Sequence, residues 1–297
     1  MADTPQVSVI VPVYNGEQTI KRALDSVFAQ AFSDFEVIVV DDGSSDSTLA
    51  LVEQYTDERL TIIKSDTNLG AAAARNQGIA AAKGRRIAFL DSDDAWQPNK
   101  LMRQVELLDQ SSKPVAACAT GYKIDKNGRR FVVPLNLTPP QFRTDILFGC
   151  TISPGSTLMV ERYVFDTIGG FDEAFKRLED WDWLLRFSER YDMEFLPDAL
   201  ADIYLTQNKP SNGHDMTQRV FDGIRRMRKK HSSRFTSLSK RLQFKSSLLT
   251  EYAAALNRAG RPQIAVLYLI AALGLYPARN KRFFRSVWRA ATERTRR

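Results

Sequence analysis

Three acidic clusters are the parts of this 297-residue chain whose types and spacing could do chemistry. The first is Asp91-Ser92-Asp93-Asp94, which follows the apolar run Arg86 to Leu90. A reaction that expels a doubly charged diphosphate needs a hard divalent cation, held by one or two carboxylates with positions left for phosphate oxygens. An Asp-x-Asp at a strand end meets that need. Alternate residues of an extended segment point opposite ways, so one carboxylate can face a ribose and the other a metal. So short a motif is, in isolation, more often an acidic loop capping the next helix, and only its context raises it.

The second cluster, Asp41-Asp42, offers a carboxylate to a nucleobase or ribose, or closes an ordinary Asp-Gly-Ser turn. Pro12-Val13-Tyr14-Asn15 adds an aromatic ring and an amide at another strand end, suited to a base pocket or to plain packing. The third cluster, Glu179-Asp180-Trp181-Asp182, stands at the expected start of a helix. A carboxylate there can take a proton from a hydroxyl, and it equally suits the helix dipole. Trp181 and Trp183 can stack on sugar rings or fill the core.

The elements around these clusters explain how they could meet. Val7 to Val13 is a β-branched run long enough for a buried strand, closed by Asn15-Gly16. Ile20, Leu24, Val27 and Phe28 recur at helical spacing, Phe35 to Val40 restores a strand, and Ser44 or Ser45 can cap a helix carrying Leu49, Val52 and Tyr55. Leu60 to Lys64, Gly70 to Ala82 and Arg86 to Leu90 continue as strand, helix and strand. Four such alternations predict an α/β fold, a mainly parallel sheet with helices on both faces. The polar clusters then fall at the carboxyl edge of the sheet, where open α/β sheets bind ligands.

From about Val115 the alternation breaks into shorter strands, with Ser156 to Val160 the clearest, before Gly169-Gly-Phe-Asp172 and a helix over Trp181 to Arg190. After Met216 only helices are expected. Tyr252 to Gly260 and Gln263 to Leu275, stopped by Pro277, resemble one tetratricopeptide hairpin, too few for an array. Residues 1–215 are therefore read as one catalytic domain, with a nucleotide half over about 1–114 and an acceptor half over about 115–215. Residues 216–297 form a helical extension, and the boundary falls in Gln207 to Asp215.

Composition narrows the class. With 43% hydrophobic and 10% aromatic residues the chain is neither disordered nor fibrous. Its net charge of +7 is unevenly spread, since Met216 onward holds 20 Lys and Arg against 3 Asp and Glu. Such a tail suits an anionic surface, whether membrane or nucleic acid, or is simply a solvated helical face. Cys118 and Cys150 form neither a metal-type spacing nor a disulfide framework, so a reducing compartment is expected. Met1 to Gln6 lacks the pattern of a signal peptide, and Ile264 to Tyr276 is too short for a membrane span. The expected location is the cytoplasm.

Taken together, the motifs resemble the family 2 glycosyltransferases, an inverting family of the GT-A fold, over roughly residues 7–206. Val7 to Asn15 is similar to the family's opening strand, Val39-Val-Asp-Asp-Gly-Ser44 to its second nucleotide edge, and Asn68 to Gly78 to its third-helix signature. Leu90-Asp-Ser-Asp-Asp94 resembles its D-x-D region, Gly169 to Asp172 the segment before the acceptor helix, and Glu179-Asp180 the catalytic-base pair.

The resemblance implies that Pro12, Tyr14 and Asp42 contact the base, with Arg75, Asp91 and Ser92 also on the donor side. Asp93 would ligate Mn²⁺ or Mg²⁺, and Asp180 would deprotonate the acceptor as it displaces a nucleoside diphosphate, the commonest donors of the family being uridine diphosphate sugars. Relatives with a Tyr-x-x-His carry a metal-side histidine where this chain reads Tyr204-Leu-Thr-Gln207, so His214 is the remaining histidine candidate for the metal. Processive-synthase Q-x-x-R-W is absent from the sequence, which favours transfer of a single sugar to a saccharide or lipid-linked saccharide in surface polysaccharide, exopolysaccharide or lipopolysaccharide biosynthesis.

Arg225 to Lys230 and Lys281 to Arg285 interleave cations with apolar groups, and by the same resemblance an anionic bilayer, on the inner face of the cell membrane, is preferred to nucleic acid. Two rivals are a sugar nucleotidyltransferase, which needs a glycine-rich Arg/Lys loop where this chain has Tyr14-Asn-Gly-Glu17, and a non-catalytic carbohydrate- or nucleotide-binding scaffold.

Overall fold

The computed structural model describes residues 4–111, 115–126, 128–150, 152–205 and 213–276, with side chains from 216 in the last segment. Its elements in chain order are β1 (Val7–Val13), α1 (Ile20–Phe28), β2 (Phe35–Asp41), α2 (Thr48–Val52), β3 (Leu60–Lys64), α3 (Ala71–Ala81) and β4 (Arg86–Phe89). There follow β5 (Ala95–Trp96), α4 (Lys100–Gln110), β6 (Val115–Lys126), β7 (Arg129–Val133), α5 (Pro139–Asp145), α6 (Pro154–Thr157), β8 (Leu158–Glu161), α7 (Tyr163–Ile168), α8 (Glu179–Phe187) and β9 (Asp192–Tyr204). Helices α9 (Gly213–His231), α10 (Leu238–Arg258) and α11 (Pro262–Leu275) close the described chain.

The strands form one sheet in the order β3-β2-β1-β4-β8-β6-β9-β5, with β7 paired to β6. Strands β1 to β4 run parallel, with Val9 opposite Val37 and Ala88, so their carboxyl ends share one edge. Side chains alternate across this sheet as strand geometry requires. Val7, Val9 and Val11 join Ile20, Leu24 and Val27 of α1 on one face. Ile10, Ile38 and Val40 join Ala72 and Ala74 of α3 on the other, together with Phe171 and Trp183. Two-faced burial is why these strands read as continuous apolar runs.

The second half departs from the expected pattern of short strands. Strands β6 and β9 are the long ones, at 12 and 13 residues, and they pair parallel through register shifts around Thr120 to Tyr122. Their half-polar sequences conceal this, because β6 passes from buried to half-exposed along its length and β9 is exposed at Pro197 and Asp198 between two partly buried stretches. The expected strand over Ser156 to Val160 begins instead at Leu158, antiparallel to both β4 and β6, after the turn of α6. Helix α8 starts two residues before Trp181 and ends at Phe187, short of Arg190.

Neither Ser44 nor Ser45 caps α2, whose N-cap is Ser47. Those serines bind the first loop instead: the Asn15 N–H donates to Ser44 Oγ at 2.9 Å and the Ser45 N–H to Asn15 Oδ1 at 2.8 Å. The two nucleotide-side loops are thereby tied together.

Helices α10 and α11 form the expected hairpin, and Phe244 and Leu248 of α10 share one core cluster with Met227 of α9 and Trp181 of α8. No helix among the described residues is long and apolar enough to cross a membrane. Gln207, Pro277 and the basic segment Lys281 to Arg285 lie outside the described residues, as does the side chain of His214.

Candidate active site

Because β1, β2 and β4 run parallel and end together, Tyr14, Asp42 and Asp91 emerge at one edge of the sheet. Pro12 is buried in β1 opposite Val40, whereas Tyr14 stands 49% exposed just beyond the strand, its ring available to a planar partner. Asp42 is buried, and its two oxygens accept the Leu69 and Gly70 N–H groups at 2.8 Å each. Its first use is thus to hold the Asn68 to Gly70 loop ahead of α3.

Asp91, Asp93 and Asp94 each offer an oxygen within 4.8 Å of the others, a hard-oxygen set of a size that suits a divalent cation. Ser92 is partly exposed between them. Asp94 is the member that sequence reasoning missed. It is buried, accepts Ser156 Oγ at 2.5 Å and the Tyr204 N–H at 3.1 Å, and its carboxyl is pushed up to about 8 by burial and by the charges of Asp91 and Asp93. Three carboxylates that resist sharing negative charge are a fitting cradle for a cation. The signal was present as a third consecutive acid, but only the fold shows that it points inward. Arg22 donates to the Asp93 carbonyl and stacks 3.8 Å from the Tyr204 ring centroid, steadying this loop from α1. At Gly155 a Cβ would overlap the Asp91 carboxylate, so a larger residue in the turn of α6 would have to displace that side chain.

Arg75 of α3 joins this cradle to the distant acidic cluster. Its Nη2 donates to Asp91 Oδ1 at 2.7 Å and its Nη1 to Glu179 Oε1 at 3.0 Å, across 104 residues of sequence. The guanidinium is 7% exposed; burial alone would lower its pKa, but Asp91 and Glu179 outweigh that and hold it above its ordinary value. Asp180 follows at the first turn of α8, with the Trp181 N–H donating to its Oδ1 at 2.7 Å. Burial and the adjacent Glu179 charge raise its carboxyl to about 6, with Arg75 opposing. A carboxylate poised there is ionised at neutral pH and more basic than an ordinary aspartate.

Trp181 and Trp183 do not line this site. They are 1% and 0% exposed, Trp183 stacked between Phe165 and Phe187, so they are core. Their burial stabilises α8 by roughly 2–3 kcal/mol each. Asp182 meets Arg186, Lys230 and His231.

The model of the family described as Glycosyl transferase family 2 matches residues 8–169, more than half of the chain. The chain belongs to glycosyl transferase family 2. Among relatives of this glycosyltransferase, an uncharacterised glycosyltransferase of Rickettsia prowazekii is 31% identical over 230 residues, covering 74% of this chain and 72% of its own. The UDP-Glc:alpha-D-GlcNAc-diphosphoundecaprenol beta-1,3-glucosyltransferase WfgD of Escherichia coli is 37% identical over 147 residues, or 48% of this chain and 57% of that one. Among solved structures, the mannosyltransferase PcManGT of Pyrobaculum calidifontis, in complex with GDP-Man and Mn²⁺, superposes with a TM-score of 0.60 at 23% identity, covering 98% of this glycosyltransferase and 87% of that chain. That likeness establishes the GT-A fold.

Proposed function

We propose that this glycosyltransferase moves one sugar from a nucleoside-diphosphate sugar, a uridine diphosphate sugar in the first instance, to a hydroxyl of a saccharide or lipid-linked saccharide, with inversion. The observation that carries the reading is the Arg75 bridge, which holds the Asp91–Asp93–Asp94 cradle and the Glu179–Asp180 pair on one site. The activity that WfgD is named for, joining a UDP sugar to a diphosphoundecaprenol-linked sugar, supports donor and acceptor class, and the Mn²⁺ of PcManGT supports the metal. Assembly of surface polysaccharide is the process this fits.

In this reading Asp93, with Asp91 and Asp94 beside it, holds Mn²⁺ or Mg²⁺, which when bound supplies neutralisation of charge on the leaving diphosphate. Tyr14 stacks on the base, and Asp42 with Pro12 shapes its pocket. Ser92 and Asp91 face the ribose side. Arg75 fixes Asp91 and Glu179 with one N–H from each terminal nitrogen, and its remaining N–H groups keep it on the donor side as a candidate contact of the nucleotide. Asp180 accepts the proton of the acceptor hydroxyl as that oxygen attacks the anomeric carbon from the face opposite the diphosphate. The result is an inverted glycosidic bond, a protonated Asp180 and a released nucleoside diphosphate.

The division at residue 215 then separates roles, catalysis before it and support or location after it. Exposed Arg225, Arg226, Arg228 and Lys229 of α9 suit peripheral contact with an anionic membrane face, tested by flotation with anionic vesicles. The activity is tested by release of UDP or GDP from a panel of nucleotide sugars with Mn²⁺. Undiminished release by Asp180→Asn would sink the assignment of the base.

A further inference from the structure

Asp180 follows a strained turn that the catalytic part of the chain does not hold alone. Leu178, the N-cap of α8, has φ 69°, in the left-handed region that branched L residues avoid. Such a conformation persists only where its surroundings over-determine it. Those surroundings include α9. A Cβ at Gly223 would stand 2.7 Å from the Arg177 carbonyl oxygen and 3.5 Å from Leu178 Cδ1, so the α9 backbone lies directly against the turn.

Two helical turns further, α9 takes hold of α8 itself. His231 Nε2 lies 2.7 Å from Asp182 Oδ1, both residues being fully buried, and Lys230 Nζ lies 2.9 Å from the same oxygen and 2.8 Å from Asp172 Oδ2. The His231 and Lys230 hydrogen bonds hold the Asp182 carboxyl at about 2 in spite of its burial. A helix that merely floated in solvent would not bury a histidine against an aspartate. Contacts at 177–178 and at 182 enclose Asp180 from both sides in the sequence.

We propose that α9 is a brace for the acceptor base, and that Gly223, Lys230 and His231 are positioning residues acting on Asp180 through Leu178 and Asp182. This rests on the reading of Asp180 as the base. It gives the start of the basic extension a part in turnover that is separate from any role in location. With the brace intact, Asp180 stays beside Glu179 and the Arg75 bridge. With it loosened, Asp91 and Asp94 keep the partners they take from Arg75, Ser156 and Tyr204.

The test uses the full chain, UDP with Mn²⁺ as the binding probe and UDP release from the nucleotide sugar that the unaltered enzyme turns over. Gly223→Ala and His231→Ala are expected to lower kcat about 10- to 100-fold, as a displaced catalytic group does. UDP affinity and donor KM should stay within about twofold, since only a step after donor binding is touched. His231→Gln, whose amide can still donate to Asp182, should recover most of the loss. Alanine is the better helix former at 223, so a fall there is not α9 unravelling.

Wild-type kcat in Gly223→Ala, a parallel fall of UDP affinity, or His231→Gln no better than His231→Ala would each overturn the brace. If His231→Ala does not fold, Gly223→Ala and His231→Gln decide. Asp180→Asn separates the two ideas: retained turnover there removes the base, whereas lost turnover there with unaffected brace variants removes only the brace.

Discussion

The proposed donor and acceptor sides of this enzyme are built by different means. On the donor side, β1, β2 and β4 end in register, and the chemistry sits on the loops that leave them, each within a few residues of its strand. On the proposed acceptor side, Glu179 beside Asp180 is held by Arg75, 104 positions before it, and Asp182 by Lys230 and His231, about 50 residues beyond. The difference predicts that donor binding survives damage to the far parts of the chain, while acceptor activation does not. Arg75 belongs to both sides.

The largest effect expected is from Asp180→Asn. Removing a general base costs about 10²- to 10⁴-fold in turnover, while UDP binding with Mn²⁺ should be unchanged by calorimetry. A carboxyl whose folded pKa is raised to about 6 adds stability only while protonated, and that contribution is lost as pH rises through about 6. At pH 7 and above the asparagine variant should therefore melt no lower than the parent. A drop in both Tm and UDP affinity would erase the contrast between the two sides.

Arg75→Met comes next, because it breaks the ion-pair bridge between them. It leaves Asp91 and the largely buried Glu179 without their common cation, and losing one partner of a buried pair costs about 3–5 kcal/mol. Both UDP affinity and turnover should fall, in contrast to Asp180→Asn. Loss of turnover with full nucleotide affinity would place Arg75 on the acceptor side only.

This asymmetry also decides how much could be read from sequence. The β-branched runs of β1 and β2, the Asp-Asp-Gly-Ser turn and the Asp91-x-Asp93 spacing are local signals, and the structure places their side chains at one edge as expected. The third carboxylate, Asp94, was visible as a letter but not as a buried group, since that depends on Ser156 and Tyr204 closing over it. Strands β6 and β9 escaped because a long strand that mixes buried and exposed stretches has no single period. The brace escaped for a stronger reason. Nothing in the α9 pattern, which looks like a basic solvated helix, marks Gly223 or His231 as facing an acidic helix 40 to 50 residues earlier.

A smaller effect is the pH dependence of turnover. With Asp180 raised to about 6, the acid limb of kcat should lose about tenfold per pH unit below that point and level off above it. The UDP–Mn²⁺ affinity should not follow the same limb if acceptor activation is separate from donor binding. Isothermal titration of UDP with Mn²⁺ at matched pH values is the check, and a shared midpoint near 6 would tie the two sides together.

The smallest effect lies wholly on the donor side and concerns stability. Lys100 of α4 is fully buried, with its Nζ 2.6 Å from Gln104 Oε1 and 4.0 Å from the Trp96 ring centroid. Burial lowers its pKa to about 7. The unfolded chain therefore binds one more proton than the folded one from about pH 7 up towards the ordinary lysine range, so stability must rise with pH across that window. Lys100→Met removes the buried charge and should abolish that rise. It should also gain on the order of 1 kcal/mol at pH 6, after the lost bond to Gln104 is subtracted. Denaturant melts at pH 6, 7.5 and 9 measure this directly. If parent and variant show the same slope, Lys100 stays charged in the fold, and its cation over Trp96 is a stabilising contact of the donor half rather than a cost carried by it.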